Sequence, residues 1–142
     1  MNNREAIRHQ QLARARETAF SLKMARQIVT AKIHNQRVVL QRQVKRNATG
    51  GRQGLIYLRE RGRYDQALAG MAQMARQSET VASVESLRGY EGKAAAFYFG
   101  GIRAFLGKEW GFRKRDYYPP PDPFNALLSF LYSLLLKDVR TA

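Results

Sequence analysis

The sequence contains no cysteine, which excludes disulfides, cysteine nucleophiles and thiolate zinc sites and agrees with an intracellular protein. Its first residues, Met1-Asn2-Asn3-Arg4-Glu5, have no apolar core of the kind a signal peptide needs. Long hydrophobic runs are missing too. The most apolar stretch, Phe124 to Leu136, is 13 residues long and interrupted by Asn125, Ser129, Tyr132 and Ser133, too short and too polar to span a bilayer. A soluble, cytoplasmic protein is expected. Acidic residues are scarce: 11 Asp and Glu face 25 Lys and Arg, leaving a formal charge of +14 on 142 residues. Such an excess repels itself in a compact chain and attracts polyanions. Nucleic acid is the leading candidate partner, because each phosphate neutralised by Lys or Arg releases counterions. An anionic membrane surface or a ribosome fits the charge equally well. The length suits one domain with a modest core.

Helix breakers are absent over an unusual distance, with no Gly or Pro from Met1 to Thr49. Within that run Phe20, Met24 and Ile28 recur every four residues, and Leu22, Val29 and Ile33 form an adjoining stripe, which is helical periodicity. The first 50 residues hold 11 Lys or Arg against only Glu5 and Glu17. Asn47-Ala48-Thr49-Gly50-Gly51 supplies a stop signal. A short helix is expected from Gly54 to Arg61, and another from Tyr64 onward through Leu68, Met71 and Ala75. A longer one is expected from about Ser83 to Leu106. Gly89 and Gly92 sit inside that pattern, each costing about 1 kcal/mol relative to Ala, so close approach of a helix or ligand is expected there. Gly107 to Pro121 reads as a loop. Asp122 then looks like an N-cap and Pro123 like the first helical residue. The final helix, to about Lys137, is apolar on nearly all sides, so the preceding helices are expected to cover it. No strand alternation of any length occurs. The predicted class is all-α, a helical bundle.

Three segments carry a family likeness. Ser86-Leu87-Arg88-Gly89-Tyr90-Glu91-Gly92, followed by small residues and Tyr98-Phe99, is similar to a Leu-x-Gly-x-Glu-Gly helix. Arg113-Lys114-Arg115 through Pro119-Pro120-Pro121-Asp122-Pro123-Phe124-Asn125-Ala126-Leu127-Leu128-Ser129-Phe130 is similar to an Arg-rich loop and a Pro-Pro-x-Asp-Pro-x-Asn-Ala-Leu-Leu-Ser-Phe block. Lys32-Ile33-His34-Asn35-Gln36-Arg37 is similar to a Lys-Ile-x-Asn-Gln-Arg helix. In this order and at these intervals they resemble the CRISPR-associated adaptation endonuclease and integrase, the catalytic subunit of spacer acquisition in antiviral defence. The resemblance implies a DNA nuclease dependent on Mg²⁺ or Mn²⁺ that acts on protospacer and CRISPR repeat DNA. It also implies work as a homodimer with a second, smaller adaptation protein. Family members begin with a β-rich dimerisation domain, and a His and an Asp beyond the Asn-Ala-Leu-Leu-Ser helix complete their metal site. Neither part has a counterpart here. His9 and His34 lie upstream and do not match the missing ligand. Residues 1–142 are therefore expected to be one α-helical domain, a fragment of a larger catalytic domain. Such a fragment is expected to be impaired in catalysis on its own, which leaves open whether it is an enzyme.

By that resemblance Glu91 is the catalytic, metal-binding glutamate. Read without it, Glu91 is a solvated helical residue pairing with Arg88 or Lys93. Arg113, Lys114 and Arg115 are candidates for holding phosphates, with Tyr117 and Tyr118 able to stack a base; the alternative is a solvated basic loop. Lys32 and Arg37 are candidate DNA contacts on the long basic helix, the alternative being a solvated face. Asp122 is assigned to capping, Asn125 to capping or to supporting the site, and Tyr132 is a further candidate for supporting the site. The stripe Tyr90, Phe97, Tyr98, Phe105 is expected in the core. A second reading is a non-catalytic basic helical DNA-binding module. The apolar last helix also predicts self-association of the isolated chain.

Overall fold

A computed structural model describes residues 3–47 and 51–141, all helix and loop with no strand among them. The helices are α1 (Asn3–Ala15), α2 (Thr18–Asn47), α3 (Gly51–Thr80), α4 (Val84–Phe105) and α5 (Pro123–Thr141), with a single 3-10 turn at Lys108–Trp110. The all-α expectation holds. None of these helices is long and apolar enough to cross a membrane.

The breaker-free N-terminal run is two helices rather than one. α1 tightens at its end, where Arg16 N–H donates to Ala13 O (3.2 Å) and Glu17 N–H to Arg14 O (3.0 Å). The hydroxyl of Ser21 then donates to Ala15 O at 2.8 Å. A side chain thus satisfies a carbonyl that the helix would otherwise use, and the chain turns without Gly or Pro. The expected stop after α2 falls on Ala48, Thr49 and Gly50, outside the described residues.

The two expected helices from Gly54 and Tyr64 are one continuous helix, α3. Gly62 faces open space, and ion pairs span it: Arg63–Glu60 at 2.8 Å and Arg61–Asp65 at 3.7 Å. Such pairs contribute roughly 0.2–0.5 kcal/mol each, and the buried Tyr64 ring, stacked on Phe105 at 4.5 Å, ties the segment to α4. Together these offset the cost of one glycine.

α2, α3 and α4 form the hub. Ile33 and Leu40 from α2, Ala67, Met71 and Met74 from α3, and Ala94 from α4 make one buried cluster. Tyr90, Phe97, Tyr98 and Phe105 pack on it as expected. Each fully buried large side chain stabilises by about 1.5–3 kcal/mol. Close helix approach is real, but it occurs at glycines other than the expected ones. A Cβ on Gly70 would lie 2.6 Å from the Phe97 ring, and one on Gly101 would lie 2.8 Å from Leu40. A Cβ on Gly89 or Gly92 would meet no atom of another element within 4 Å. Arg26 of α2 reaches across to Val81 O with its Nε at 2.8 Å, which fixes the short turn into α4.

α4 spans Val84–Phe105 with Ser83 as N-cap, its hydroxyl accepting from Ser86 N–H at 3.2 Å. At α5, Asp122 Oδ1 accepts from Asn125 N–H at 2.8 Å, and Pro123 is the first helical residue, as expected. The expectation that α5 is covered all round fails. Asn125 is its only buried residue among those described, and Leu131 and Leu135 stay 49% and 56% exposed. Its first turn is anchored through Phe124, whose ring lies 4.8 Å from Phe112, itself 6.0 Å from Phe99 of α4.

Candidate nucleic-acid interface and metal site

One face of α4 is hub and the other is cleft. Tyr90, Ala94, Phe97 and Gly101 recur at helical spacing toward α2 and α3. Offset around the helix, Arg88, Glu91, Ala95, Phe99 and Arg103 line a cleft of about 660 Å³. Gly92, Ala95, Ala96 and Gly100 on the same face have side chains too small to fill it. Small residues here make room for something outside the helix, which accounts for a glycine at position 92 with nothing against it.

The second wall comes from α2. Ile33 points into the core, so its neighbour Lys32 and, one turn on, Gln36 reach the cleft. Lys32 Nζ lies 2.5 Å from Glu91 Oε1, with the two side chains 39% and 35% exposed. Glu91 thus pairs with Lys32 rather than with Arg88 or Lys93. A pair this open to water contributes about 0–1 kcal/mol, so its importance is positional: it sets an ammonium on the carboxylate at the cleft floor.

The third wall is the loop after α4 together with the start of α5. Arg113, Lys114, Arg115, Tyr117 and Tyr132 line the cleft there. Asn125, completely buried, ties the loop down. Its Oδ1 accepts from Asp116 N–H (2.9 Å) and Arg115 Nη1 (3.0 Å), while its Nδ2 donates to Lys114 O (2.9 Å) and Asp122 Oδ2 (2.7 Å). A buried amide is thereby satisfied on both atoms. Nearby, burial pushes the Tyr98 phenol above its ordinary value of 10.0, and Tyr132 adds a smaller push in the same direction.

Of the residues singled out from sequence, Glu91, Lys32, Arg113, Lys114, Arg115 and Tyr132 come together in this cleft. Asn125 lies behind its wall. Arg37 is elsewhere: its Nε donates to Leu68 O at 3.3 Å, holding α2 to α3. Arg88, Arg103 and Gln36 line the cleft and were not singled out as contacts. Their signal was in the spacing, since Arg88 precedes Glu91 by three residues, Arg103 follows it by twelve, and Gln36 follows Lys32 by four.

The cleft presents cations around one carboxylate, a charge arrangement that attracts phosphates. As a metal centre it does not stand alone. Among the described residues no group of three or more His, Cys, Asp or Glu could hold an ion. His34 lies in a different groove, with Lys23, Arg26 and Glu79. Glu91 is a hard oxygen donor suited to Mg²⁺ or Mn²⁺, but one protein carboxylate does not make a site for either.

The family model for CRISPR associated protein Cas1 matches residues 1–142. The chain is 34% identical over 135 residues to the CRISPR-associated endonuclease Cas1 of Leptospira interrogans serogroup Icterohaemorrhagiae serovar Lai, covering 93% of this chain and 50% of that protein. Against a Cas1 endonuclease of Thermus thermophilus the figures are 37% over 91 residues, 64% of this chain and 27% of that one. Among solved structures a Cas6-RT-Cas1–Cas2 complex superposes with a TM-score of 0.72 at 34% identity, over 88% of this chain and 12% of that one. The chain spans half the length of the Leptospira relative. With the motifs, the fold and these matches in agreement, the chain belongs to the CRISPR-associated Cas1 family.

Proposed function

We propose that this chain is the DNA-holding, helical part of the catalytic domain of a CRISPR adaptation endonuclease and integrase. The observation that carries the reading is the cleft itself. Lys32, Arg88, Arg103, Arg113, Lys114 and Arg115 line it around the single carboxylate of Glu91. Exposed cations there, Arg113 and Lys114 among them, neutralise backbone phosphates, and Tyr117, 72% exposed at the rim, offers a ring face to a base. Glu91 is the donor this chain would offer to Mg²⁺ or Mn²⁺ in the assembled enzyme, the remaining ligands coming from outside the described residues. The chain's own work is to bind and orient DNA at Glu91. Protospacer and CRISPR repeat DNA are the proposed substrates. The solved relative is a complex that contains Cas2, which supports the smaller adaptation protein as partner; a homodimer and a cytoplasmic location belong to the same reading.

The lone carboxylate, already paired with Lys32, favours a second reading, a DNA-binding module without catalysis. DNA binding measured against salt concentration tests what both readings share. The expected result is log K falling linearly with log salt, with Lys114→Gln lowering the slope by about one. Binding indifferent to salt and to Lys114 sinks both. Cleavage assayed with Mn²⁺ separates them. Activity lost in Glu91→Ala supports the enzyme, whereas binding without cleavage, unchanged by Glu91→Ala, leaves the module.

A further inference from the structure

The sequence groups Arg113, Lys114 and Arg115 as equivalent cations, yet the structure gives the third a different task. Arg115 Nη1 donates to Asn125 Oδ1 at 3.0 Å and to Asp116 O at 2.5 Å, and Nη2 donates to Ser129 Oγ at 3.0 Å. Its Nε is shut away from solvent. The Tyr117 and Tyr132 rings lie 4.3 and 5.7 Å from the guanidinium carbon. A guanidinium has five N–H groups. Three are committed inward and a fourth is buried, so the two adjacent donors needed for a bidentate phosphate contact are not on offer. Arg113 and Lys114, by contrast, are exposed on the cleft wall.

We infer that Arg115 is a positioning residue: it clamps the loop onto α5 and so holds Arg113 and Lys114 at the cleft, without itself binding phosphate. Resting on the DNA-binding reading above, this names which of its cations meet the backbone. The clamp works through Asn125. That amide takes Arg115 and the Asp116 N–H on one atom and binds Lys114 O with the other, so the backbone is pinned on both sides of residue 115. Ser129, one turn further along α5, receives the other arm of the fork. The planar fork is what the geometry uses, and a lysine carrying the same charge cannot span Asn125 and Ser129 together.

The test compares Arg115→Lys, Arg115→Gln, Ser129→Ala and Lys114→Gln in the full chain. Amide hydrogen exchange at Asp116 is read without DNA, and DNA affinity is read separately. The clamp predicts that Asp116 exchange accelerates at least about tenfold in both Arg115 variants, the scale of losing one charge-assisted hydrogen bond. Ser129→Ala produces a smaller acceleration, and Lys114→Gln none. Amides of α2 to α4 keep their protection throughout, which separates a loosened loop from a failed fold. DNA affinity drops in Arg115→Lys about as far as in Arg115→Gln. The inference is overturned if Arg115→Lys restores wild-type affinity while Asp116 exchange stays at the wild-type rate in both variants, because charge alone would then be what Arg115 supplies. A wild-type chain that ignores DNA would sink the functional reading, and the exchange arm would still decide the clamp.

Discussion

The hub wall of the cleft and the loop wall are held by different forces. Lys32 and Glu91 stand on helices whose other faces are packed dry through Ile33, Leu40, Met71 and Ala94. Arg113 and Lys114 stand on a loop held by one buried amide, a guanidinium fork and a three-ring contact of Phe99, Phe112 and Phe124. Beyond Ser129, α5 leaves its leucines exposed. Burial is non-directional and spreads over many contacts, so the hub tolerates the loss of a polar group. A hydrogen-bonded wall is directional, and removing one member leaves its partners unsatisfied. The difference assigns stability to the first wall and placement of Arg113 and Lys114 to the second.

Breaking the hub should have the largest effect. Ile33→Ala removes a side chain with no solvent exposure, and the expected loss is about 2–5 kcal/mol of unfolding free energy, read by denaturant titration. A loss below about 1 kcal/mol would mean that the hub is not the dry core described. At the other extreme, Leu134→Gln together with Leu135→Gln changes side chains that are 44% and 56% exposed. Stability should move by no more than about 0.5 kcal/mol. Concentration-dependent association of the isolated chain, followed by sedimentation velocity, should fall as the apolar face shrinks. A large loss of stability would show that those leucines are covered in the folded chain.

The contrast between walls also explains what could be read in advance. Class, the bounds of α4, the Asp122 cap and the Pro123 start rest on local signals: periodicity, a capping side chain, a proline. Each is carried by residues within one turn of the feature, and each was legible. The break before α2 depends on Ser21 reaching a carbonyl six residues back, and the continuity of α3 across Gly62 depends on its flanking ion pairs. Neither has a strong one-letter signature. The close approaches at Gly70 and Gly101 are set by Phe97 and Leu40 on other helices. Gly89 and Gly92 offered the same residue type without that partner. In the cleft, family likeness singled out Glu91, Lys32 and the Arg-rich loop, but not their pairing. Nor could it separate Arg37, which holds a carbonyl of α3, from Lys32 five residues earlier. One-dimensional pattern names an apolar face; which neighbour meets it is a tertiary fact.

Whether DNA lies in the cleft, as proposed, rather than spread over a generally basic surface is tested most directly by lysine modification with and without DNA. DNA should protect Lys32 and Lys114, which line the cleft, and leave Lys23 and Lys45, exposed on α2 outside it, as reactive as before. Equal protection of all four, or protection of Lys23 and Lys45 alone, would contradict it.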